Sequence, residues 1–212
     1  MSAPAAAKPL DGRQTRTLRS RRAICDACLD LVQEGVLQPS ADQIAERAGV
    51  SRRSVFNHWA DLGALYDDVV AVGMERCAPL REEISPALSV GARVAKLASV
   101  SARFFEATTP FRRSMAASAL VGPVRGEAMR VGRALLQQQR DQIAALFSEE
   151  LAELEAQERA ELVEALAVAV SPASWEHLRT SRGLLAARAR AVMQRGLQAL
   201  LRDAGVKVEA AR

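Results

Sequence analysis

An all-α fold is predicted by three observations on these 212 residues. Apolar side chains recur at helical spacing in nearly every segment after Leu10, no run of alternating β-branched residues lies between turn signals, and glycine or proline closes segment after segment. With 49% hydrophobic residues in 22.8 kDa, the chain can bury one sizeable core, or a small domain plus a larger one. Cys25, Cys28 and Cys77 are too few for a disulfide framework and fit a reducing compartment. The opening MSAPAAAKP lacks the basic start and apolar stretch of a signal peptide, and no later run approaches a membrane span. A cytoplasmic protein with no membrane partner is expected.

Residues 1–14 read as a flexible tail. The first helix is expected from about Thr15 to Glu34, where Gly35 stops it, with Ile24, Cys28, Leu31 and Val32 on one apolar stripe. Cys25 and Cys28 form a CxxC, but inside that helical pattern and with no second pair to complete a zinc site. Packing is therefore the expected role, and neither a metal nor a cofactor is called for.

Pro39 to Trp59, PSADQIAERAGVSRRSVFNHW, reads as two short helices joined by a glycine turn. Ser40 caps the first, with Gln43 placed to close a capping box and Ile44, Ala45 and Ala48 on its inner stripe. Gly49 supplies the left-handed turn, Val50 plugs the corner, and Ser51 caps the second helix. Val55 and Trp59, one turn apart, face the core, leaving Arg52, Arg53, Ser54, Phe56, Asn57 and His58 to point elsewhere. An ordinary helical hairpin with a solvated basic face would share some of this. The turn, both caps and an arginine-bearing outer face together point to a helix-turn-helix that offers its second helix to the major groove of double-stranded DNA. Arg13, Arg16, Arg19, Arg21 and Arg22, against the single acid Asp11, put positive charge at the entry to this motif, although the net charge is only +4.

A fourth helix is expected from about Leu62 to Cys77, before Pro79, and serves as a connector, so residues 15–77 form the first domain. A larger helical domain, 78–212, follows. Its first long helix carries Val94, Leu97, Ala98, Ser101, Phe104 and Phe105 and is expected to end at Thr109, with Pro110 opening a short helix through Phe111 and Met115. The turn at Val121 to Pro123 precedes a helix through Leu135, Leu136, Ile143, Leu146 and Phe147. Glu149, Glu150, Glu153, Glu155, Glu158 and Glu161 read as solvent-facing. Pro172 should interrupt the next helix near Ser171.

The last two long helices are apolar over too wide an arc for one buried face. Val163, Ala167, Val170, Val192, Gly196 and Leu200 are the candidate dimer interface, in which two helices from each copy would form a four-helix contact. Phe104, Phe105, Phe111, Met115, Phe147 and Trp175, with Ser101, Gln138 and Gln139 as polar fixtures, are the candidate lining of a ligand pocket, with core packing the competing role for each.

The segment IAERAGVSRRSVFNHW resembles the signature of the TetR family of bacterial transcription regulators: Ile-Ala, a glycine turn, a capping serine and a recognition helix ending in aromatic-x-His-aromatic. The motif match covers Thr15 to about Cys77, and the rest matches only in helix pattern and length. The resemblance implies a three-helix DNA-binding head and a larger helical body for ligand binding and dimerisation. It implies that Ser40 and Ser51 cap and contact the backbone, that Arg52, Arg53 and Asn57 approach bases, and that Ser54, Phe56 and His58 meet phosphates. Two residues depart from the family's pattern. Phe56 stands where a tyrosine is usual and Leu62 where a lysine is usual, removing two phosphate contacts.

The function expected is a homodimeric repressor released from a pseudo-palindromic operator by a small, largely apolar effector. A ligand-independent regulator or nucleoid-like binder is the alternative. A helical enzyme is a distant third, because the chain has no glycine-rich phosphate loop, no HExxH and no nucleophile elbow.

Overall fold

A computed structural model describes residues 12–121 and 126–209. Most of the expected tail and the turn at Gly122 and Pro123 lie outside them. All regular structure among the described residues is helical: α1 (Gly12–Gln33), α2 (Ala41–Ala48), α3 (Arg52–His58), α4 (Leu62–Cys77), a 3-10 turn (Ala78–Leu80), α5 (Val90–Val121), α6 (Gly126–Leu146), α7 (Ser148–Leu151), α8 (Ala156–Ala169), α9 (Pro172–Glu176), a π-helical turn (His177–Ser181) and α10 (Ala186–Asp203). The chain divides into two compact units. Among the described residues, one comprises those up to Glu75 and those from Ser114 to Val121, and the other comprises Arg76–Arg113 and those from Gly126 onward.

The first unit is built on α1. Ile24, Cys28 and Val32 are fully buried, as the apolar stripe requires, and Ile44 of α2, Val55 of α3 and Leu65 and Val69 of α4 fill the same interior. A Cβ on Gly73 would lie only 3.3 Å from a Leu29 methyl, so the bare backbone is what lets α4 approach α1 this closely. Cys25 and Cys28 are both buried thiols. Burial, reinforced by nearby Asp68, pushes Cys25 up to about 12, and burial does the same for Cys28. Neither forms appreciable thiolate at neutral pH, so the CxxC pair packs rather than reacts.

In the second unit Phe147, Trp175, Ile143, Leu166, Leu197 and Leu201 are fully buried and define one core contributed by α5 to α10. Four local results correct or sharpen the expectations. First, Pro110 does not open a new helix: α5 runs through it without a break. Pro110 has no N–H to give the helix, and just upstream the hydroxyls of Thr108 and Thr109 donate to the carbonyls of Phe104 and Phe105 at 2.9 and 2.7 Å. Second, Glu150 is not a solvated acid. Its carboxylate closes on Arg93, and the two side chains are only 15% and 5% exposed. The other five glutamates are exposed.

Third, Val163, Ala167 and Val170 lie in the chain's own core, so they present no face to a second copy. Val168, 62% exposed, and Val192, 41% exposed, are the large apolar side chains these helices leave exposed. Gly196 sits 3.9 Å, measured from an added Cβ, from Ala169 of the same chain, so its close neighbour is α8; Leu200 is half-buried. Fourth, α8 does stop just before Pro172. Ser171 caps α9 by accepting the Ser174 N–H at 3.1 Å, with Pro172 in the first helical turn.

Candidate nucleic-acid interface

The geometry of α2 and α3 follows from their caps. Ser40 Oγ accepts the Gln43 N–H at 3.3 Å while Gln43 Oε1 accepts the Ser40 N–H at 2.9 Å, a complete capping box. Gly49 has φ of +66°, a left-handed conformation that strains any residue with a Cβ, and the Val50 N–H folds back onto the Ala45 carbonyl at 2.9 Å. Ser51 then restarts the chain, accepting the Ser54 N–H at 3.1 Å, and the two serine hydroxyls lie 2.9 Å apart. Both capping serines are thus engaged by their own helices.

Of the side chains on α3, Val55 is buried, and Trp59, just past the helix end, is buried beside it. Arg52, Arg53, Phe56 and Asn57 are exposed, and Ser54 and His58 are half-buried. The two arginines differ. Arg52 bonds Asp42 of α2 at 2.9 Å, and its guanidinium lies 5.7 Å from the Phe56 ring centre. Arg53 and Asn57, one helical turn apart, have no partner among the described residues. His58 is not directed solely outward: one ring nitrogen lies 3.1 Å from Ser20 Oγ on α1, and the ring packs edge-on against Trp59.

Asp68 of α4 is the residue that sequence reasoning missed here. Its carboxylate accepts the Trp59 indole N–H at 2.9 Å and also binds the Arg21 guanidinium, which itself sits 5.1 Å from the Trp59 ring centre. One acid therefore fixes α1, the end of α3 and α4 together. Replacing it with alanine should destabilise the first unit by about 1–3 kcal/mol, because a buried indole donor loses its acceptor, and denaturant unfolding followed by tryptophan emission measures that cost.

The same contacts thin the basic cluster expected on α1. Arg21 is held by Asp68, and Arg22 by Asp26 and Glu75. Arg16 and Arg19 remain exposed with no partner among the described residues.

Solved structures share the fold. A TetR-family transcriptional regulator from Streptomyces coelicolor superposes with a TM-score of 0.65 at 18% identity, over 88% of each chain. The chain has the TetR fold. A transcriptional regulator from Rhodococcus sp. Rha1 matches at 0.63 and 16% identity, over 90% of this chain and 98% of that one. A further Rhodococcus sp. structure described as TetR-family matches at 0.64 and 17%, over 86% and 99%. No family model matches the chain, and no curated protein does.

Within the body of this TetR fold, most of the residues expected to line a pocket are placed in the core or bonded elsewhere. Phe105, Phe147 and Trp175 are core, Phe104 packs against that core, and Ser101 is buried. Phe111 is half-buried, Met115 groups with the first unit, Gln138 is exposed and bonded to Arg81, and Gln139 donates to the Val170 carbonyl at 2.6 Å. Trp175 also lines a cleft of about 390 Å³, together with Glu106, Thr109, Pro110, Arg113, Arg179 and Thr180. It is polar. Glu106 accepts the Trp175 indole N–H at 3.0 Å and a bidentate pair from Arg179 at 2.7 and 3.1 Å, and those Arg179 bonds hold its carboxyl below the usual range. Among the described residues no group of His, Cys, Asp and Glu is placed to hold a metal, and no helix is long and apolar enough to cross a membrane.

Proposed function

We propose that this protein is a DNA-binding transcriptional regulator that binds a pseudo-palindromic duplex as a homodimer, with α3 of each copy in the major groove. The observation that carries the reading is the Arg53–Asn57 stripe. A guanidinium and an amide, each capable of bidentate base contact, stand exposed and without an internal partner on a helix whose other face is locked by Val55, Trp59 and the Gly49 turn. Arg16 and Arg19 supply charge for the phosphates beside them.

Selection of bound duplexes from a random library at about 0.15 M salt tests this, since weak backbone attraction is screened there. Enrichment of one pseudo-palindrome is the expected result; a folded protein that enriches nothing would refute the reading. Arg16→Ala or Arg19→Ala should lower the slope of log affinity against log salt by about 0.9 for each phosphate no longer neutralised, hence by about 1.8 for a dimer, while leaving the preferred sequence unchanged.

We further propose that regulation is repression relieved by a small effector bound in the body, which would change the spacing of two heads that must sit about 34–36 Å apart, or a multiple, to bind together. The cleft beside Trp175 offers such a molecule room to enter, and its charged lining argues for an effector with polar groups. The burial of Phe105 and Phe147 in the core of the body favours ligand-independent regulation as the second reading. Quenching or shift of Trp175 emission by compounds that also release DNA would separate the two.

A further inference from the structure

Phosphate binding does not explain Phe56. A phenyl ring offers no donor to a phosphate oxygen, yet this one is 41% exposed on the helix that carries Arg53 and Asn57. It is also held in place. Arg52 lies over the ring at 5.7 Å from its centre, and Asp42 anchors Arg52 in turn at 2.9 Å, so Asp42, Arg52 and Phe56 form one stack across α2 and α3. Arg53 and Phe56 are three residues apart and Arg53 and Asn57 four, which makes all three side chains neighbours on one patch of helix surface.

The major-groove floor presents donors and acceptors at every base pair but only one apolar group, the thymine 5-methyl. We propose that Phe56 packs on a thymine methyl adjacent to the base pairs addressed by Arg53 and Asn57, which makes it a specificity-determining residue. The proposal rests on the DNA-binding reading. Asp42 and Arg52 act as positioning residues that aim the Phe56 ring.

The test uses the duplex recovered by selection. Each thymine is replaced in turn by deoxyuridine, which removes the methyl and leaves every hydrogen-bonding group in place, and affinity is measured for the native chain and for Phe56→Ala and Phe56→Leu. One thymine per half-site should lose about three- to fivefold when demethylated, the worth of one buried methyl, or about tenfold or more when both half-sites change. The loss should vanish in Phe56→Ala and persist in part in Phe56→Leu. A native chain indifferent to uracil at every thymine, or an equal loss in Phe56→Ala, would overturn the assignment while leaving DNA binding intact. A library that yields no enriched duplex would overturn both.

Discussion

Replacing Glu150 by alanine is expected to destabilise the second unit by about 3–5 kcal/mol, the cost of leaving a buried charge without its counter-ion. The reason is the environment of Arg93. Its side chain is 5% exposed, its Nη atoms bond Glu150 and the Leu146 carbonyl, its guanidinium lies 5.3 Å from the Phe147 ring centre, and its Nε has no partner. With the carboxylate removed, neither water nor another acid takes over the guanidinium without opening the core around α6 and α7. A thermal midpoint lowered on the order of 10 °C is the corresponding signal for a chain of this size. Changing both partners, Arg93→Met with Glu150→Leu, should recover most of the loss, because a well-packed apolar pair needs no counter-ion. A Glu150→Ala protein as stable as the native one would show that water reaches Arg93.

The same pair sets an acid limit. Burial alone would raise the pKa of Glu150, but the Arg93 hydrogen bond, a backbone hydrogen bond and the Arg93 charge together leave it below the usual carboxylate value. A carboxyl with a depressed folded-state pKa contributes stability that is present above its unfolded value, about 4.3, and lost as pH falls through the lower folded value. The stability difference between the native chain and Glu150→Ala should therefore be full at neutral pH and shrink below about pH 4.

What is legible in the sequence depends on how local the responsible interactions are. The capping box at Ser40, the turn at Gly49, the cap at Ser51 and the stop before Pro172 each involve residues within about five positions of one another, and each stands where the pattern puts it. Pro110 misleads because its own rule is local while the Thr108 and Thr109 hydroxyls and the packing around α5 are not part of that rule. Glu150 and Asp68 are invisible for a different reason. Their arginine partners lie 57 and 47 residues away in the chain, so an acidic run and a lone aspartate carry no mark of burial. The arc of Val163, Ala167 and Val170 looks surplus to one core in the sequence, but α5, α6 and α10 together present enough apolar surface to bury it within the chain.

That distinction also bears on the two arginines of α3, which are identical in sequence terms and unlike in the fold. Arg53→Ala should cost about 1–3 kcal/mol at each half-site, hence about 2–6 kcal/mol for a dimer on a symmetric duplex, a weakening of at least about 30-fold. The loss should come with relaxed preference at one base position, because a bidentate guanidinium reader removes its own discrimination when it goes. Arg53→Lys should not restore that preference, since an ammonium lacks the planar fork that spans guanine O6 and N7. Arg52→Ala should behave otherwise. Its ion pair with Asp42 is exposed on both sides and contributes about 0–1 kcal/mol to stability, so the fold persists, and the base preference altered should be the thymine beside Phe56, whose ring loses its brace. Binding profiles of the two variants over all single-base changes in the selected duplex distinguish these roles: an Arg53→Ala profile that is uniformly weaker but unchanged in shape would make Arg53 a phosphate contact and shift base reading to Asn57 and Phe56.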